Sequence, residues 1–460
     1  MKTIFFIVCS LFCVGIYAQG TKKWTLEECI NYAVAHNIDI RQRELNRQNE
    51  KINVNTAKMS RLPDLNANVG QDWNFGRSNK TPTGIYETQT NSSTGLGISS
   101  STPIFTGFRI PNEIAKSKLD LEAATQNLEK AKDDLSLNIA SLFLQVLFNR
   151  ELLKVNEEQL ALSKTQIDRT QELVDVGKVP MSQLFDIKAQ VAKDEVSVVQ
   201  AQNTLKLSLL DLAQNLELER DASFDVESPE LGDVVGNNIQ SILPPTSIYD
   251  NAVGFKPQIK EQELRTESAK KSLKIAQSGH YPTLSLGLGY NNGYYYNYTM
   301  EGRWIEDPVD PSKSYTWHNE SFAKQIKNKA GQYISLNLNI PIFNRFTVRN
   351  QVRAAKLNIE NQQLTLENVK KTLYKDIQTA YLNAVAAQET YSSSNKSVEA
   401  SQESFRYAEE RYQIGKSSVF EFNDARTKLI QSMSEQIRAK YDFIFRSKIL
   451  DFYNGLPIKL

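Results

Sequence analysis

Cysteine is scarce in this sequence, and its scarcity excludes a disulfide framework. Only three cysteines occur among 460 residues. Cys9 and Cys13 lie in an apolar N-terminal stretch with the features of a removable leader, so Cys29 alone remains in the mature chain. A single cysteine forms no intramolecular disulfide. Because apolar residues flank Cys29 at helical spacing, we expect a small buried core residue rather than a reactive thiol.

Charge of one sign, histidine and catalytic motifs are also lacking. The 54 basic and 53 acidic residues nearly cancel, so the composition gives no reason to expect a nucleic-acid partner. The three histidines, His36, His280 and His318, have no spacing typical of a metal site. There is no glycine-rich phosphate loop or nucleophile motif. The sequence therefore predicts no enzyme, no metal site and no cofactor.

Long apolar runs are absent beyond the N-terminus. We interpret residues 1–18 as a signal peptide, because Lys2 precedes an apolar stretch from Ile4 to Ile16 and Ala18 offers a small residue for cleavage. A retained anchor is the alternative, but the stretch is too short to span a bilayer as a helix. No transmembrane helix is predicted downstream, which leaves short, alternating barrel strands open.

The chain is written twice. "PIFTGFRIPNEI" from Pro103 aligns with "PIFNRFTVRNQV" from Pro341 at an offset of 238, which also relates Gly177 to Gly415. Upstream of each, an offset of 219 pairs Pro63 with Pro282 and the segments around them. The second copy therefore carries 19 additional residues between these landmarks, as a surface loop would. We predict two structural repeats, 19–245 and 246–460, each containing the same elements.

Four short segments alternate apolar and polar residues. The clearest begins at Leu284, after which every second residue is apolar as far as Tyr290. A period of two with one apolar face fits either a half-buried strand of a soluble sheet or a lipid-facing barrel strand, and the strands alone leave both open. We predict strands over 64–76, 86–102, 283–296 and 332–341.

Apolar residues recur every seven positions on both sides of Gly177 and Gly415, as in the row Leu121, Leu128 and Leu135. Heptads of this length predict coiled-coil packing. We predict helical hairpins over 108–220 and 346–455, each preceded by one unbroken helix that runs to the proline before the first strand. The segment 221–247 breaks both periods and is predicted to be a linker or small belt beside the helices.

These features together resemble the TolC family of outer-membrane efflux proteins. The resemblance covers essentially the whole mature chain. It rests on the doubled helix–strand–strand–helix–helix plan, the opening "WTLEECINYAVAHNIDI", the proline before each first strand, the "PIF" after each second strand, and the two glycine tips. Each feature is weak by itself, and their order and duplication make the resemblance specific.

The resemblance implies a mainly α fold with a small β portion, assembled as a homotrimer. Each subunit would give about four strands to one shared β-barrel in outer-membrane lipid. The helices would continue as a coiled-coil barrel into the periplasm of a Gram-negative bacterium. The implied function is a passive exit duct of a tripartite efflux system, with a periplasmic adaptor and an inner-membrane pump as partners. A type I protein secretion duct and a non-channel periplasmic coiled-coil scaffold are the alternatives.

The resemblance also assigns roles to the glycine tips. Glycine supplies the left-handed residue that ends a helix, and Pro180 suits the first turn of the helix that follows. Ser417 or Ser418 could cap the corresponding second helix. By resemblance the tips would contact the adaptor through Val176, Gly177, Lys178, Ile414, Gly415 and Lys416.

A periplasmic gate is implied just beyond the second tip. Glu421 and Asp424 occupy the positions of acidic residues that narrow the tube in the family. Three copies would form two acidic rings that favour cations and raise the pKa of their own carboxyl groups. Tyr412 fits a tyrosine of the family's closing lock but could equally be a packing residue. Asp186 matches Asp424 across the repeat and is either a further entrance carboxylate or a surface residue.

The ionic part of that lock is predicted to be absent. Ser417 stands where the family has an arginine, and Gln183 stands where it has an aspartate. The second tip, with its acidic pair, is therefore the predicted gate.

Overall fold

The structure, a computed structural model, describes residues 23–78, 86–218, 224–229, 243–307 and 309–459. The predicted signal peptide and most of the predicted linker 221–247 lie outside these ranges. The chain forms two compact units. We call the described residues of 46–125 and 261–366 the sheet unit, and the helical unit comprises the described residues of 1–45, 126–260 and 367–460.

The sheet unit contains one antiparallel sheet of four strands in the order β2-β3-β5-β8. Its strands are β2 (Asn66–Ser78), β3 (Glu87–Thr106), β5 (Thr283–Asn297) and β8 (Gly331–Asn339). The expectation that "PIF" follows the second strand is corrected, because β3, the second predicted strand, runs through Pro103 and ends at Thr106. A register shift between Pro103 and Phe105 accommodates the proline, which has no backbone N–H to donate.

One face of this sheet is apolar and open to the surroundings. Val69 on β2 and Ile334 on β8 are 75% and 79% exposed, respectively. Leu336 and Leu338 continue this face along β8, and Trp73 and Phe75 continue it along β2. An exposed group of apolar side chains of this kind is unfavourable in water and is typical of a surface that meets a partner or lipid.

The connection between β5 and β8 folds against the outer end of β5. It contains the short strands β6 (Trp304–Ile305) and β7 (Tyr315–Thr316), which pair with each other, a turn of 3₁₀ helix at Pro311–Lys313 and α7 (Phe322–Asn328). Asn291 is the last residue of β5 that pairs with β8, and β5 continues for six more residues. The carboxamides of Asn319 and Gln325 bind the backbone of β5 in this region.

The helix predicted before each first strand is broken once, and this corrects the expectation of a single unbroken helix. In the first repeat α1 (Leu26–His36) ends at Asn37, whose side chain accepts the Asp39 and Ile40 N–H groups at the start of α2 (Ile38–Met59). Asparagine at such a position ends one helix and caps the next.

In the second repeat α5 (Pro245–Phe255) ends at Lys256, which is Asn37 shifted by 219 residues, and α6 (Pro257–Ser278) follows. Pro257 forces the residue before it into an extended conformation. The Lys256 ammonium is buried. It lies 3.3 Å from the centroid of the Phe452 ring and 3.6 Å from the Asp133 carboxylate. Burial lowers the pKa of Lys256, although the Asp133 carboxylate opposes that shift.

Two long hairpins follow the sheet strands. The first consists of α3 (Arg109–Asp175) and α4 (Met181–Asn215), and the second consists of α8 (Thr347–Gln413) and α9 (Val419–Tyr453). Both ascending helices have 67 residues and both return helices have 35. Across the described helices there is no stretch of the length and apolarity that a membrane-spanning helix requires.

The apolar core of the helical unit joins the start of the chain to the middle of both hairpins. Cys29 is fully buried, which confirms the core role predicted for it, and burial raises the pKa of its thiol to about 12. The heptad prediction is confirmed here, because Ile139, Val146, Ile377 and Ala384 are all fully buried. Beside this core β1 (Lys23–Trp24) pairs in parallel with β4 (Asp225–Val226).

Closer to the tips, a polar network joins the two hairpins. The Arg426 guanidinium on α9 donates to the Asp194 carboxylate on α4 at 2.7 Å and to the Gln159 side-chain oxygen on α3 at 3.0 Å. Ser163 and Gln190 also donate to the Asp194 carboxylate. The side chains of Arg426 and Asp194 are only 4% and 11% exposed, so this ion pair is withdrawn from water.

The second hairpin has serines at the positions that hold this network in the first. An offset of 238 converts Ser163 to Ser401 and Asp194 to Ser432, and these two hydroxyl groups are hydrogen-bonded at 3.0 Å. The charge of Asp194 therefore has no counterpart in the second hairpin. The aspartate is tolerated in the first because Arg426 neutralises it.

We expect Arg426→Met to destabilise the helical unit by about 3–5 kcal/mol, because it leaves the Asp194 carboxylate buried without its cation. The double variant R426M/D194L should recover most of that loss, since no buried charge remains. Urea or thermal unfolding of the detergent-solubilised protein measures both effects. The control is Lys428→Met, whose ion pair with Asp424 is exposed and should contribute less than about 1 kcal/mol. Equal losses in R426M and K428M would contradict the buried role of Arg426.

Candidate functional site at the hairpin tips

The two tips have the same backbone geometry. Gly177 and Gly415 have φ angles of 71° and 73°, in the left-handed region. The Lys178 N–H donates to the Leu173 carbonyl and the Lys416 N–H to the Arg411 carbonyl, each at 2.9 Å. This is the Schellman pattern of helix termination, which favours glycine. A Cβ at either glycine would meet no atom within 4 Å, so the backbone angle alone requires glycine there.

The helices after the tips begin differently. α9 is capped by Ser418, whose hydroxyl accepts the Glu421 N–H at 3.2 Å, as the sequence predicted for Ser417 or Ser418. Pro180 precedes α4 as its N-cap residue, without a side-chain cap, and therefore lies one position before the predicted first turn. The fixed φ of proline still suits the entry to a helix.

The apolar residues before the two glycines are well exposed in the single chain. Val176 is 67% exposed and Ile414 is 66% exposed. Sequence reasoning did not identify Phe185 and Phe420, which are also exposed close to the tips. Their position just after a helix break was the available signal, because no heptad row includes them. The tips therefore present small apolar knobs with a lysine beside each, Lys178 and Lys416.

The predicted gate carboxylates are both exposed on the first two turns of α9. The Ser417 hydroxyl donates to the Glu421 carboxylate, and this hydrogen bond holds the pKa of Glu421 below its ordinary value. The Asp424 carboxylate pairs with the Lys428 ammonium at 2.8 Å. The predicted rise in carboxyl pKa would need acidic groups from neighbouring copies, and in the single chain Glu421 shows the opposite shift.

Tyr412 and Asp186 have separate surroundings. The Tyr412 ring stacks on the buried Phe422 ring with centroids 5.0 Å apart, and Phe405 lies on Phe422 at 5.5 Å. Tyr412 is thus a packing residue at the second tip. Asp186 is exposed on α4 and forms no hydrogen bond or ion pair with Glu421 or Asp424 in the described part of the chain.

The interior near the tips is polar and incompletely hydrogen-bonded. Within the described ranges, five buried side-chain oxygens here find no partner in the single chain, and they belong to Gln166, Thr170, Gln183, Tyr412 and Asn423. A buried polar atom without a hydrogen bond costs about 1–3 kcal/mol. The heptad pattern did not indicate this, because its rows place Ile167 and Val174 inward, whereas both are only half-buried. The tip packing is therefore weaker than the apolar core.

No set of three or more His, Cys, Asp or Glu side chains able to hold a metal ion occurs among the residues that the structure describes. The tips instead offer turns, exposed apolar side chains and carboxylates. Such groups can contact another protein and act on ions through their charge.

Comparisons with known proteins agree with this architecture. The TolC outer membrane protein of Escherichia coli strain K12 is 22% identical over 450 residues, which cover 96% of this chain and 84% of TolC. The crystal structure of the outer membrane protein VceC from Vibrio cholerae matches with a TM-score of 0.72 at 14% identity, covering 94% of this chain and 96% of VceC. CusC, described with its transmembrane channel formation, matches with a TM-score of 0.73 at 17% identity, covering 94% of this chain and 92% of CusC.

The family described as "Outer membrane efflux protein" matches residues 29–216 and 248–451, which include all four strands of the sheet and nearly all of both hairpins. The chain therefore belongs to the outer membrane efflux protein family, whose members are channels of the Gram-negative outer membrane that extend into the periplasm.

Proposed function

We propose that the chain is the passive outer-membrane exit duct of a tripartite efflux system that carries small molecules outward. The observation that supports this most strongly is the sheet itself, which has an exposed apolar face and, among the described strands, two open edges at β2 and β8. An apolar face suits lipid, and edges in lipid must be paired. A homotrimer that closes three such sheets into one barrel satisfies both conditions.

The hairpins would continue this barrel as a coiled-coil tube in the periplasm. The heptad positions buried in the middle of both hairpins support close helical packing. The narrow end would lie at the tips, where three copies of Glu421 and Asp424 form acidic rings. Carboxylates held around a narrow pore attract cations and repel anions.

The partners would be a periplasmic adaptor and an inner-membrane pump that supplies the energy. The exposed Val176 and Ile414, each beside a left-handed glycine, offer matching contact points on the two hairpins. Because the two tips share one backbone geometry, one kind of adaptor surface could bind both.

We expect the double variant E421A/D424A to form a channel of larger conductance and lower cation selectivity than the unmodified protein. The reason is that it removes both acidic rings and their electrostatic constriction. Single-channel recording in a planar bilayer measures both properties. E172A/D175A removes the same charge from the exposed end of α3 and should change them much less. Unchanged conductance and selectivity in E421A/D424A would remove the gate assignment and leave the fold intact.

Separately, V176E/I414E should abolish efflux in cells without changing the conductance of the isolated channel. Carboxylates at the tips would have to be desolvated against the adaptor, which is unfavourable. Accumulation of a panel of toxic small molecules in the native host measures efflux, and bilayer recording measures the channel. Val309→Glu makes the same substitution at an exposed valine between β6 and β7 and should leave both intact. Normal efflux by V176E/I414E would exclude the tips as the adaptor contact.

A further inference from the structure

We infer that β8 of one copy pairs with β2 of the next copy in a single register, in which Asn339 lies opposite Asn68 and Gly331 lies opposite Gly76. This inference rests on the proposed function, because it specifies how copies close the barrel. It follows from the internal repeat, which already contains one example of the same junction.

The two β-hairpins of the chain have identical registers. In the first, Asn66 on β2 lies opposite Ser99 on β3. The repeat offsets of 219 and 238 convert this pair into Ser285 and Asn337, which lie opposite each other on β5 and β8. The offsets read from the sequence therefore transfer strand pairing from one repeat to the other without error.

The junction between the repeats inside the chain serves as the template. There Ser101 on β3 lies opposite Gly287 on β5. Adding 238 to the first and subtracting 219 from the second gives Asn339 on β8 and Asn68 on β2 of the neighbouring copy. The same operation on Ser93 and Tyr295 gives Gly331 and Gly76. The whole of β8 is then paired, over as many residues as it pairs with β5.

Backbone directions on the two open edges are compatible with this register. The Tyr295 N–H and carbonyl bind the Gln325 carboxamide on the β8 side, so odd-numbered residues of β5 direct their backbone groups toward β8. The odd-numbered residues of β8 that pair with them direct their backbone N–H and carbonyl groups toward β5. The even-numbered residues of β8 direct theirs toward the open edge.

On the other edge the Asp64 N–H donates to the Ser101 carbonyl, so even-numbered residues before and along β2 point to β3. Odd-numbered residues of β2 therefore point to the open edge. The inferred register places even-numbered residues of β8 opposite odd-numbered residues of β2, and both members of each such pair can exchange hydrogen bonds. A slip of one residue would place these groups out of line.

Side-chain faces provide a second check. The register sets Ile334 opposite Trp73 and Leu338 opposite Val69, so exposed apolar side chains from two copies lie on one face. A slip of one residue would turn one strand over and place its apolar row on the other face. Slips of two residues keep both the faces and the backbone directions correct. Only the repeat excludes them, and the experiment must therefore distinguish them.

The helical unit shows the same relation independently. Within one chain, α3 of the first hairpin contacts α9 of the second. The Lys440 and Arg426 side chains on α9 donate to Glu151 and Gln159 on α3. Their counterparts on α8, Glu389 and Ser397, line an open groove of about 740 Å³ between α8 and α9. α4 is the counterpart of α9, so the groove fits α4 of a second copy.

The test is disulfide cross-linking in the full chain with Cys29 replaced by Ala. In the inferred register, Asp72 and Ser335 of neighbouring copies form a non-hydrogen-bonded pair with Cα atoms about 4.5 Å apart. A disulfide spans Cα separations of about 4.4–6.8 Å. D72C/S335C should therefore give covalent dimers and trimers on mild oxidation. Within one copy the two positions are three strand spacings apart, roughly 14 Å, which excludes an internal disulfide.

The matched controls shift the register by two residues in either direction, with G70C/S335C and N74C/S335C. Their cysteines would be diagonal neighbours about 7–8 Å apart and should cross-link severalfold less. If either control cross-links more than D72C/S335C in trimer-sized particles that still conduct, the register is wrong and the proposed duct stands. If every variant, like the parent, is a monomer in detergent and does not conduct, both the register and the proposed duct are overturned.

Discussion

In the proposed barrel, the outer edges of β2 and β8 carry backbone groups that need hydrogen-bond partners, because hydrocarbon offers none in place of water. The rest of the chain is consistent with this requirement. The apolar face of the sheet would then meet lipid, where an open edge is not tolerated, and the described strands of one chain leave two edges. Near Asn297, β5 extends beyond the last residue that pairs with β8. There the carboxamides of Asn319 and Gln325 bind the backbone of β5 in place of a strand. The chain thus covers locally the part of the β5 edge that none of the described strands reaches.

The two halves of the chain correspond in backbone and differ in charge. Helix lengths, tip geometry and strand register correspond between the halves, whereas the buried Asp194–Arg426 pair occurs once. At the corresponding positions stand Ser432 and the exposed Lys188. The junction within a chain is therefore held by a buried ion pair, and the proposed junction between copies would not contain one. If the tips of such a duct change shape, the helices would separate more readily at the junction between copies than at the junction within a chain.

Much of this architecture could be predicted from the sequence, because it depends on periodic patterns. The alternation of apolar and polar residues predicted the four strands, the heptads predicted the hairpins, and the paired glycines predicted the tips. The breaks at Asn37 and Lys256 were missed because a single cap or proline outweighs an otherwise continuous helical pattern. The Arg426 network could not be predicted, since it joins residues from three helices that are brought together only by tertiary packing. The inward position of Gln166 and Thr170 escaped prediction for a related reason, because near the tip the buried face of α3 shifts away from the heptad row of Ile167 and Val174.

That polar interior bears on how such a tip could open. Separating two apolar helices in water exposes hydrocarbon, and the free energy required rises with the area exposed. At these tips the buried groups include Gln166, Thr170, Gln183 and Asn423, which water can solvate as soon as it enters. Hydration of these polar groups would then offset part of the free energy required to separate the helices. The helices could part at their ends while the apolar core around Cys29 stays dry.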